Sequence, residues 1–542
     1  MFKYLKEKFK KIPRNIWILL AIVAVGIFLR TYNFHDWLQF SPDQARDALI
    51  VSDAINGTTP LPLLGPQAGN TRFSIGPLYY EAQYLSAKTF GNTPVVLAYP
   101  DLFFSILTIP LLYLFLKKYF SIEISLAMSA LFSFSYFAIV NSRFASNPNS
   151  IPFFVLLFFY ALLELMREQK NKQRLFLWYA VAGFAMGVGI QLHTILVFTM
   201  PSLLLCVFVW LWKEKLFQWK GFVFLLVAFL VINTGQILHE FQTSGINTVA
   251  LLNSVLSRSN TNGNLFRNIT VITSCQVEAN INFVSSLENN KDCGKVFYFK
   301  DASKNLSIFK LLQENLNKIL AILSGVIFTI GGYVLLWKFF KKESDRQKRN
   351  FIWLIFAYNI ISLIVLIPVA TEVELRYFNV INMIPFVLLG MWLMLVLENK
   401  NYGKISAILL VVAILSANIY VDANFAVSYA RGQISNKKNS ILGEIEPVAQ
   451  YIINKSQSSK VLLIGGSKYT KRFYKPLYYL LKKNNIELVD GNNKKNIAIG
   501  VQVFRIDKNL GNKYVVGKNV GDFIVEDIYA VNKNIRIYLL KK

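Results

Sequence analysis

The sequence predicts an α-helical protein that crosses a membrane about eleven times and carries a small α/β domain outside it at the C-terminal end. Three observations carry this. Of the 542 residues, 54% are apolar and only 16% charged, whereas a soluble domain spends about a quarter of its residues on charge. Apolar runs of roughly 17 to 22 residues, long enough to cross a ~30 Å hydrocarbon core as helix, recur through the first 420 positions. Beyond them the composition shifts to Lys, Asn and Ile with short β-like runs. Aromatic residues reach 15% of the chain, 44 of them Phe, as suits helices facing lipid and rings at the bilayer surface.

The runs lie at about 16–33, 94–116, 122–140, 150–166, 175–191, 193–212, 221–239, 319–337, 351–369, 376–397 and 404–421. The net charge of +27, from 58 Lys+Arg against 31 Asp+Glu, tests their topology. With the N-terminus in the cytoplasm, the basic runs at 3–14, 117–118, 167–174, 213–220, 338–349 and 400–404 all face the same side. That places about 23 basic residues in short inner segments against about five in short outer ones, which is the positive-inside bias. The first run has no small-residue cleavage site and reads as a retained anchor of a multi-pass protein in the cell membrane. Three non-lipidic regions fall outside: the loop 34–93, the loop 240–318 and the tail 422–542.

Cys206 lies in an apolar run and reads as a small core residue. Cys275 and Cys293 share the second outer loop. A disulfide there would close about 18 residues and contribute roughly 3 kcal/mol in the chain-entropy account, the alternative being two unpaired thiols. The tail has a net charge near +12. It suggests helices near 444–456 and 476–484, an apolar run Val461–Ile464 followed by Gly465–Gly466, and strands near 486–489, 497–504, 513–516, 523–531 and 535–540. The glycine pair lacks the rest of a phosphate loop and reads as a turn. A basic folded tail could bind an anionic wall polymer or cap the membrane part, but facing outward it has no nucleic acid to meet.

The first outer loop gathers the chemistry. Ser41-Pro42-Asp43-Gln44 is a capping-box pattern in which Ser41 caps, Pro42 suits the first helical position and Gln44 reaches back to the cap N–H. A short helix should run from there to Asn56–Gly57. Asp43, Arg46 and Asp47 fall on one side of it, three and four positions apart. By spacing alone this can be a solvated ion pair that offsets the helix dipole.

The ordered series Leu29-Arg30-Thr31-Tyr32-Asn33, Pro42-Asp43-Gln44-Ala45-Arg46-Asp47-Ala48, Gly57 and Gly76-Pro77-Leu78-Tyr79-Tyr80 resembles the opening of the GT-C superfamily of membrane glycosyltransferases. It is most similar to glycosyltransferase family 39, the protein O-mannosyltransferase and aminoarabinose transferase group. Ser142-Arg143 with Asn147-Pro148-Asn149, Gly187-Val188-Gly189 with His193, and Arg376-Tyr377 leading to Pro385 extend the likeness over roughly residues 20–400. It implies a GT-C-like catalytic domain over 1–421 and a separate soluble domain over 422–542.

The resemblance further implies transfer of a hexosyl or pentosyl unit from a polyprenyl-phosphate-linked sugar to a glycan, lipid or protein acceptor on the outer face, with inversion. Asp43 would be the general base. Arg46, Arg72, Arg143 and Arg376 would neutralise the leaving phosphate, for which the planar guanidinium is suited. Arg143 and Arg376 can equally be snorkelling at run ends. Gln44, Asp47, Tyr79, Tyr80, Glu81, Asn147 and His193 are candidates for the substrate cavity, although the tyrosines also suit a membrane belt and His193 a helix end.

Departures from the family pattern matter. Gln44 stands where many relatives have Glu, Asn147-Pro148-Asn149 where many have a second Asp, and Ile75-Gly76 where some have Lys. The loop is therefore short of ligands for a divalent metal, no cofactor is implied beyond the donor lipid, and Asp43 is left nearly alone as base. Competing function classes are a transporter or flippase for lipid-linked glycans, and an oligosaccharide ligase or polymerase. A transporter would need ionisable residues or paired broken helices at mid-membrane, which the apolar runs hardly offer.

Overall fold

A computed structural model describes residues 13–69, 71–167, 171–261, 264–286, 308–430, 440–455, 460–464, 468–490, 499–505, 513–532 and 535–542. Among these, eight helices are long and apolar enough to cross a membrane, or ten if each of two bent pairs is one span. The bent pairs are Trp219–Ile232 with Thr234–Gln242, at 68°, and Leu375–Ile381 with Ile384–Leu397, at 64°. The remaining predicted segment, 122–140, is broken: Ile122–Phe134 ends where Ser135 turns extended, and Tyr136–Asn141 follows. The multi-span helical class is borne out, while the count of eleven is not reached.

The second outer loop needs correction. Ile246–Thr261 and Leu265–Ser285 are helices, and the latter lies inside the bundle, with Ile272, Cys275, Ala279 and Phe283 in its main core. Gln276 Nε2 donates to Tyr333 Oη at 2.8 Å and to Asn359 Oδ1 at 2.7 Å, and Asn280 Nδ2 donates to Thr329 Oγ1 at 3.1 Å. Advancing four residues on one partner while retreating four on the other makes this helix antiparallel to Ile308–Lys342. Its many polar residues hid it from a hydropathy reading. They serve as interhelical hydrogen-bond partners where water is scarce. The disulfide expectation falls with the loop. Cys275 is a free, buried thiol, and Cys293 lies outside the described residues, as does Gly465–Gly466. Cys206 is free and exposed on its helix, not a core residue.

The first span is locked to the next two by Arg30, which is wholly buried. Its Nε donates to Ser105 Oγ at 3.0 Å and its Nη1 to the carbonyls of Ser133 at 2.9 Å and Gly26 at 3.2 Å. A cation in an apolar bundle persists where acceptors surround it, and here the donors are spent on helix-end carbonyls and a hydroxyl.

The C-terminal region is a mixed six-stranded sheet. Its strands are β1 Lys460–Leu463, β2 Glu487–Asp490, β3 Ile499–Arg505, β4 Asn519–Val520, β5 Phe523–Ala530 and β6 Ile535–Lys541, in the order β2-β1-β3-β6-β5-β4. β1 pairs parallel with β2 and β3, and the remaining pairs are antiparallel. The expected strand at 513–516 is turn, and the second helix starts earlier than expected, at Lys468–Lys482. Alternation sorts the side chains: Val501, Val503, Ile535, Ile537 and Leu539 face the helices Leu442–Lys455 and Lys468–Lys482, while Tyr538 and Leu540 face away.

That helix-covered face does not form a core of its own. Phe34, Leu38, Phe40, Ala45, Ala48 and Val51 from the first loop join Leu442, Ile445, Phe473, Leu477 and Tyr479 in one cluster. The backbone is stitched as well, with Phe40 N–H to Ser440 O at 3.0 Å and Leu442 N–H to Leu38 O at 2.9 Å. Lys482 reaches Asp53 at 2.8 Å at the rim. Burial should therefore dominate over charge at this junction. Tyr479→Ala is expected to cost about 3–5 kcal/mol, the range for truncating a buried aromatic, and Lys482→Ala less than about 1 kcal/mol for an exposed pair. Thermal unfolding of the purified full-length protein in detergent measures both.

Candidate active site

The helix Pro42–Ile55 starts as its sequence requires. Gln44 Oε1 accepts the Ser41 N–H at 3.2 Å, and the Ser41 hydroxyl bonds the same oxygen. Gln44 Nε2 donates to Ala145 O at 2.9 Å, so this buried amide anchors the helix to the bundle. At the far end Gly57, with φ of 71°, turns the chain away.

With Ala45, Ala48 and Val51 buried against the shared core, the other side of the helix opens on a chamber of about 1510 Å³. Asp43, Gln44, Arg46 and Asp47 line one wall, and Asn147, His193 and Arg376 line others. Asp43 is well exposed there, with 73% of its side-chain surface accessible. Arg46 bridges two carboxylates, reaching Asp47 at 2.8 Å and Asp43 at 3.4 Å. Tyr80 donates its hydroxyl to Asp47 at 3.2 Å. Burial pushes the Asp47 carboxyl up to about 6, against the opposing pull of Arg46 and Tyr80.

Another wall is built on the second bent pair. Arg376 sits in Leu375–Ile381, half-exposed, paired through Nε with Glu374 at 2.9 Å and stacked over Tyr377. His193 meets the Tyr377 ring edge-on at 4.9 Å, and its Nδ1 accepts the Ile195 N–H at 3.3 Å. Burial and the Arg376 cation hold this imidazole down at about 4, so it is neutral near pH 7.

Five expected site residues stand elsewhere. Arg143 is buried, and its two terminal nitrogens donate to the last carbonyls of the first span and the turn after it, Arg30 at 3.0 Å, Tyr32 at 2.7 Å, Asn33 at 2.9 Å and Leu29 at 3.3 Å, while its Nε has no hydrogen-bond partner among the described residues. It is a helix-end clamp and not a phosphate ligand. Arg72 is exposed between Thr71 and Phe73, which turn into the wall while it points away. Tyr79 and Tyr80 belong to the shared core, neither a membrane belt nor a sugar platform, and Glu81 lies on the exposed side of their helix.

Two further residues, Asp101 and Gln191, hold the walls of the chamber in place. Asp101 is buried at the start of the second span, where it accepts the Ser146 N–H at 3.0 Å and the Ser150 hydroxyl at 2.6 Å. It thereby fixes the turn that presents Asn147. Its signal was a carboxylate in an apolar run. Gln191, wholly buried, accepts the Leu78 N–H at 3.1 Å and donates to Ile232 O at 2.8 Å, tying the loop helix to the first bent pair. Gly76 is needed beside it, because a methyl group there would collide with the Gln191 side chain. Among the described residues no group of three His, Cys, Asp or Glu side chains is disposed to hold a metal ion.

The helical bundle thus encloses a chamber whose largely apolar lining carries a few charged side chains, among them Asp43, Arg46, Asp47, Glu374 and Arg376. Residues 62–242, about a third of the chain, match the family described as dolichyl-phosphate-mannose-protein mannosyltransferase, which is in line with the resemblance read from the sequence. No curated protein sequence matches the chain. Solved structures that align with it include ArnT from Cupriavidus metallidurans in the apo state, at 11% identity over 97% of each chain with a TM-score of 0.49. The archaeal oligosaccharyltransferase AglB from Archaeoglobus fulgidus, in complex with an inhibitory peptide and a dolichol-phosphate, aligns at 11% identity over 90% of this chain and 69% of that one, TM-score 0.49. The S. cerevisiae Pmt1-Pmt2 complex aligns at 17% identity over 42% of this chain and 32% of that one, TM-score 0.32.

The assignment of Arg143 to structure is testable. Arg143→Ala leaves several buried carbonyls without a donor and should lower stability by roughly 3 kcal/mol. If the chamber takes up a polyprenyl phosphate, the folded fraction of the variant should do so to the same extent as the unaltered protein. Thermal unfolding and a binding titration on the same preparation check both.

Proposed function

We propose that this protein transfers a sugar from a polyprenyl-phosphate-linked donor to a hydroxyl-bearing acceptor in the chamber. The observation that carries the reading is that Asp43 and Arg46 from one wall and Arg376 from another open on a single cavity. Charged groups are scarce in a bundle of this kind, and an accessible carboxylate sharing a cavity with two guanidinium groups suits a reaction that makes an oxyanion and needs a proton removed. The family match supports the donor type, since the name of that family specifies a sugar carried on dolichyl phosphate.

In the proposed step the acceptor oxygen attacks the anomeric carbon while Asp43 takes its proton. The bond from that carbon to the phosphate oxygen breaks, and the electron pair leaves with the lipid phosphate. Attack opposite the leaving group inverts the anomeric configuration. Arg46 and Arg376 stabilise the phosphate charge as it grows. The polyprenyl chain has an apolar path beside them, because Phe198, Leu251, Val255 and Val365 also line the chamber. By the charge distribution the N-terminus is cytoplasmic, and the chamber and the C-terminal domain face outward, where the acceptor would be a glycan, a lipid or a protein.

Asp43→Asn is expected to slow transfer by roughly 10²- to 10⁴-fold, the usual contribution of a general base. Arg376→Ala should cost on the order of 10²-fold, the scale of one lost oxyanion donor, and Arg72→Ala should change little. Membranes carrying each variant, supplied with a labelled polyprenyl-phosphate sugar, give the rates. Undiminished transfer by Asp43→Asn would contradict the mechanism.

A further inference from the structure

Arg46 is one cation shared between two carboxylates. Its Nε and Nη2 both face Asp47 Oδ1 at 2.8 Å, while Nη1 reaches Asp43 Oδ1 at the longer distance of 3.4 Å. Asp47 is the buried member, with 4% of its side-chain surface accessible against 73% for Asp43. Water can replace Arg46 around Asp43 but not around Asp47. An anion entering the chamber therefore competes for Arg46 chiefly with Asp47. On the other wall Arg376 has an exposed partner in Glu374, which solvent can satisfy.

We propose that Asp47 is a positioning residue that controls how much of the Arg46 charge a phosphate ligand can use, so that anion binding in the chamber is linked to protonation of this one carboxyl. The inference rests on the chamber being a phosphate site, as proposed above. With Asp47 ionised, the Asp43–Arg46–Asp47 cluster carries a net charge of −1 and resists a phosphate. With Asp47 neutral the cluster is balanced, and the guanidinium can turn to the ligand. By linkage, a phosphate that draws Arg46 away must tighten the hold of Asp47 on its proton. At pH above the Asp47 titration the chamber holds a leaving phosphate less tightly, which favours its release.

The other buried carboxyl nearby is Asp101, which accepts from Ser146 and Ser150 on the turn that carries Asn147 and has no contact with Arg46, so loss of the inflection in Asp47→Asn distinguishes the two. The helix Leu78–Phe90 contributes Tyr80, hydrogen-bonded to Asp47, and behind it Tyr79, whose hydroxyl accepts from Gln83 at 3.0 Å. The packed turn Pro94–Leu97 has no titratable side chain. The helix Lys468–Lys482 brings Lys482, engaged by Asp53 at the other end of the site helix. Burial sets the Asp47 titration near 6, above the His193 transition near 4, so the two are separable. The Tyr80 hydrogen bond favours the ionised form, and losing it must move the titration upward.

The test uses the full-length protein in lipid nanodiscs and farnesyl methyl phosphate as probe, a phosphodiester that stays singly charged across the range studied. The dissociation constant is measured from about pH 5 to about pH 8. The expected result is a rise of about tenfold with increasing pH, as one unit of coupling requires. Asp47→Asn should bind tightly at every pH. Asp47→Glu should restore the dependence, and Tyr80→Phe should move its midpoint to higher pH. If Asp47→Asn fails to fold, the Tyr80→Phe and Asp47→Glu profiles decide alone. A wild-type profile without an inflection, or an Asp47→Asn or Tyr80→Phe profile identical to wild type, overturns the inference. Arg46→Ala and Arg376→Ala separate the two levels. If both bind the probe as wild type does, the chamber is not a phosphate site and both readings fall; if they weaken it while Asp47→Asn keeps the wild-type profile, the Asp47 inference alone falls.

Discussion

The site depends on the burial of one side of the helix Pro42–Ile55. Ala45, Ala48 and Val51 recur at three-residue spacing and have no accessible surface. Small side chains let the helix lie close to a core that belongs jointly to the first loop and to the C-terminal sheet domain. With that side fixed, helical geometry leaves Asp43, Arg46 and Asp47 facing the chamber. The C-terminal sheet region is thus the back wall of the helix that presents the proposed base. Its docking also explains why Phe40, just ahead of the helix cap, contacts Tyr479 with ring centroids 5.6 Å apart.

The arginines sort by what surrounds them. Arg30 and Arg143 are buried at helix ends where carbonyl groups would otherwise lack donors. The terminal nitrogens of each are taken up by the structure it holds. Arg46 and Arg376 have carboxylate partners instead and keep a side on the chamber. A carboxylate partner can be exchanged for a phosphate with modest loss, since both are anions of similar hydrogen-bonding geometry. Exchange of four backbone carbonyls would unseat a helix end.

Much of this was legible in the residues. The apolar runs, the capping role of Gln44, the site helix and its end at Gly57 all follow from local spacing, and local spacing survives folding. The difference between Arg143 and Arg376 did not follow, because both stand at run ends and only the fold reveals that the first-span carbonyls surround one of them. The helix Leu265–Ser285 escaped for a related reason: Gln276 and Asn280 read as loop residues until Tyr333, Asn359 and Thr329 are seen to face them. Tyr79 and Tyr80 likewise read as surface rings and are core, since the site helix and the start of the second span pack over their helix.

The central claim is that Arg46 and Arg376 converge on a donor phosphate with Asp43 facing the reacting carbon. The most direct measurement is a cryo-EM map of the full-length protein with a bound polyprenyl phosphate. The account predicts phosphate density within hydrogen-bonding distance of both guanidinium groups, with the lipid chain running toward Phe198 and Val255. Phosphate density beside Arg72 or Arg143, with the chamber empty, would contradict it.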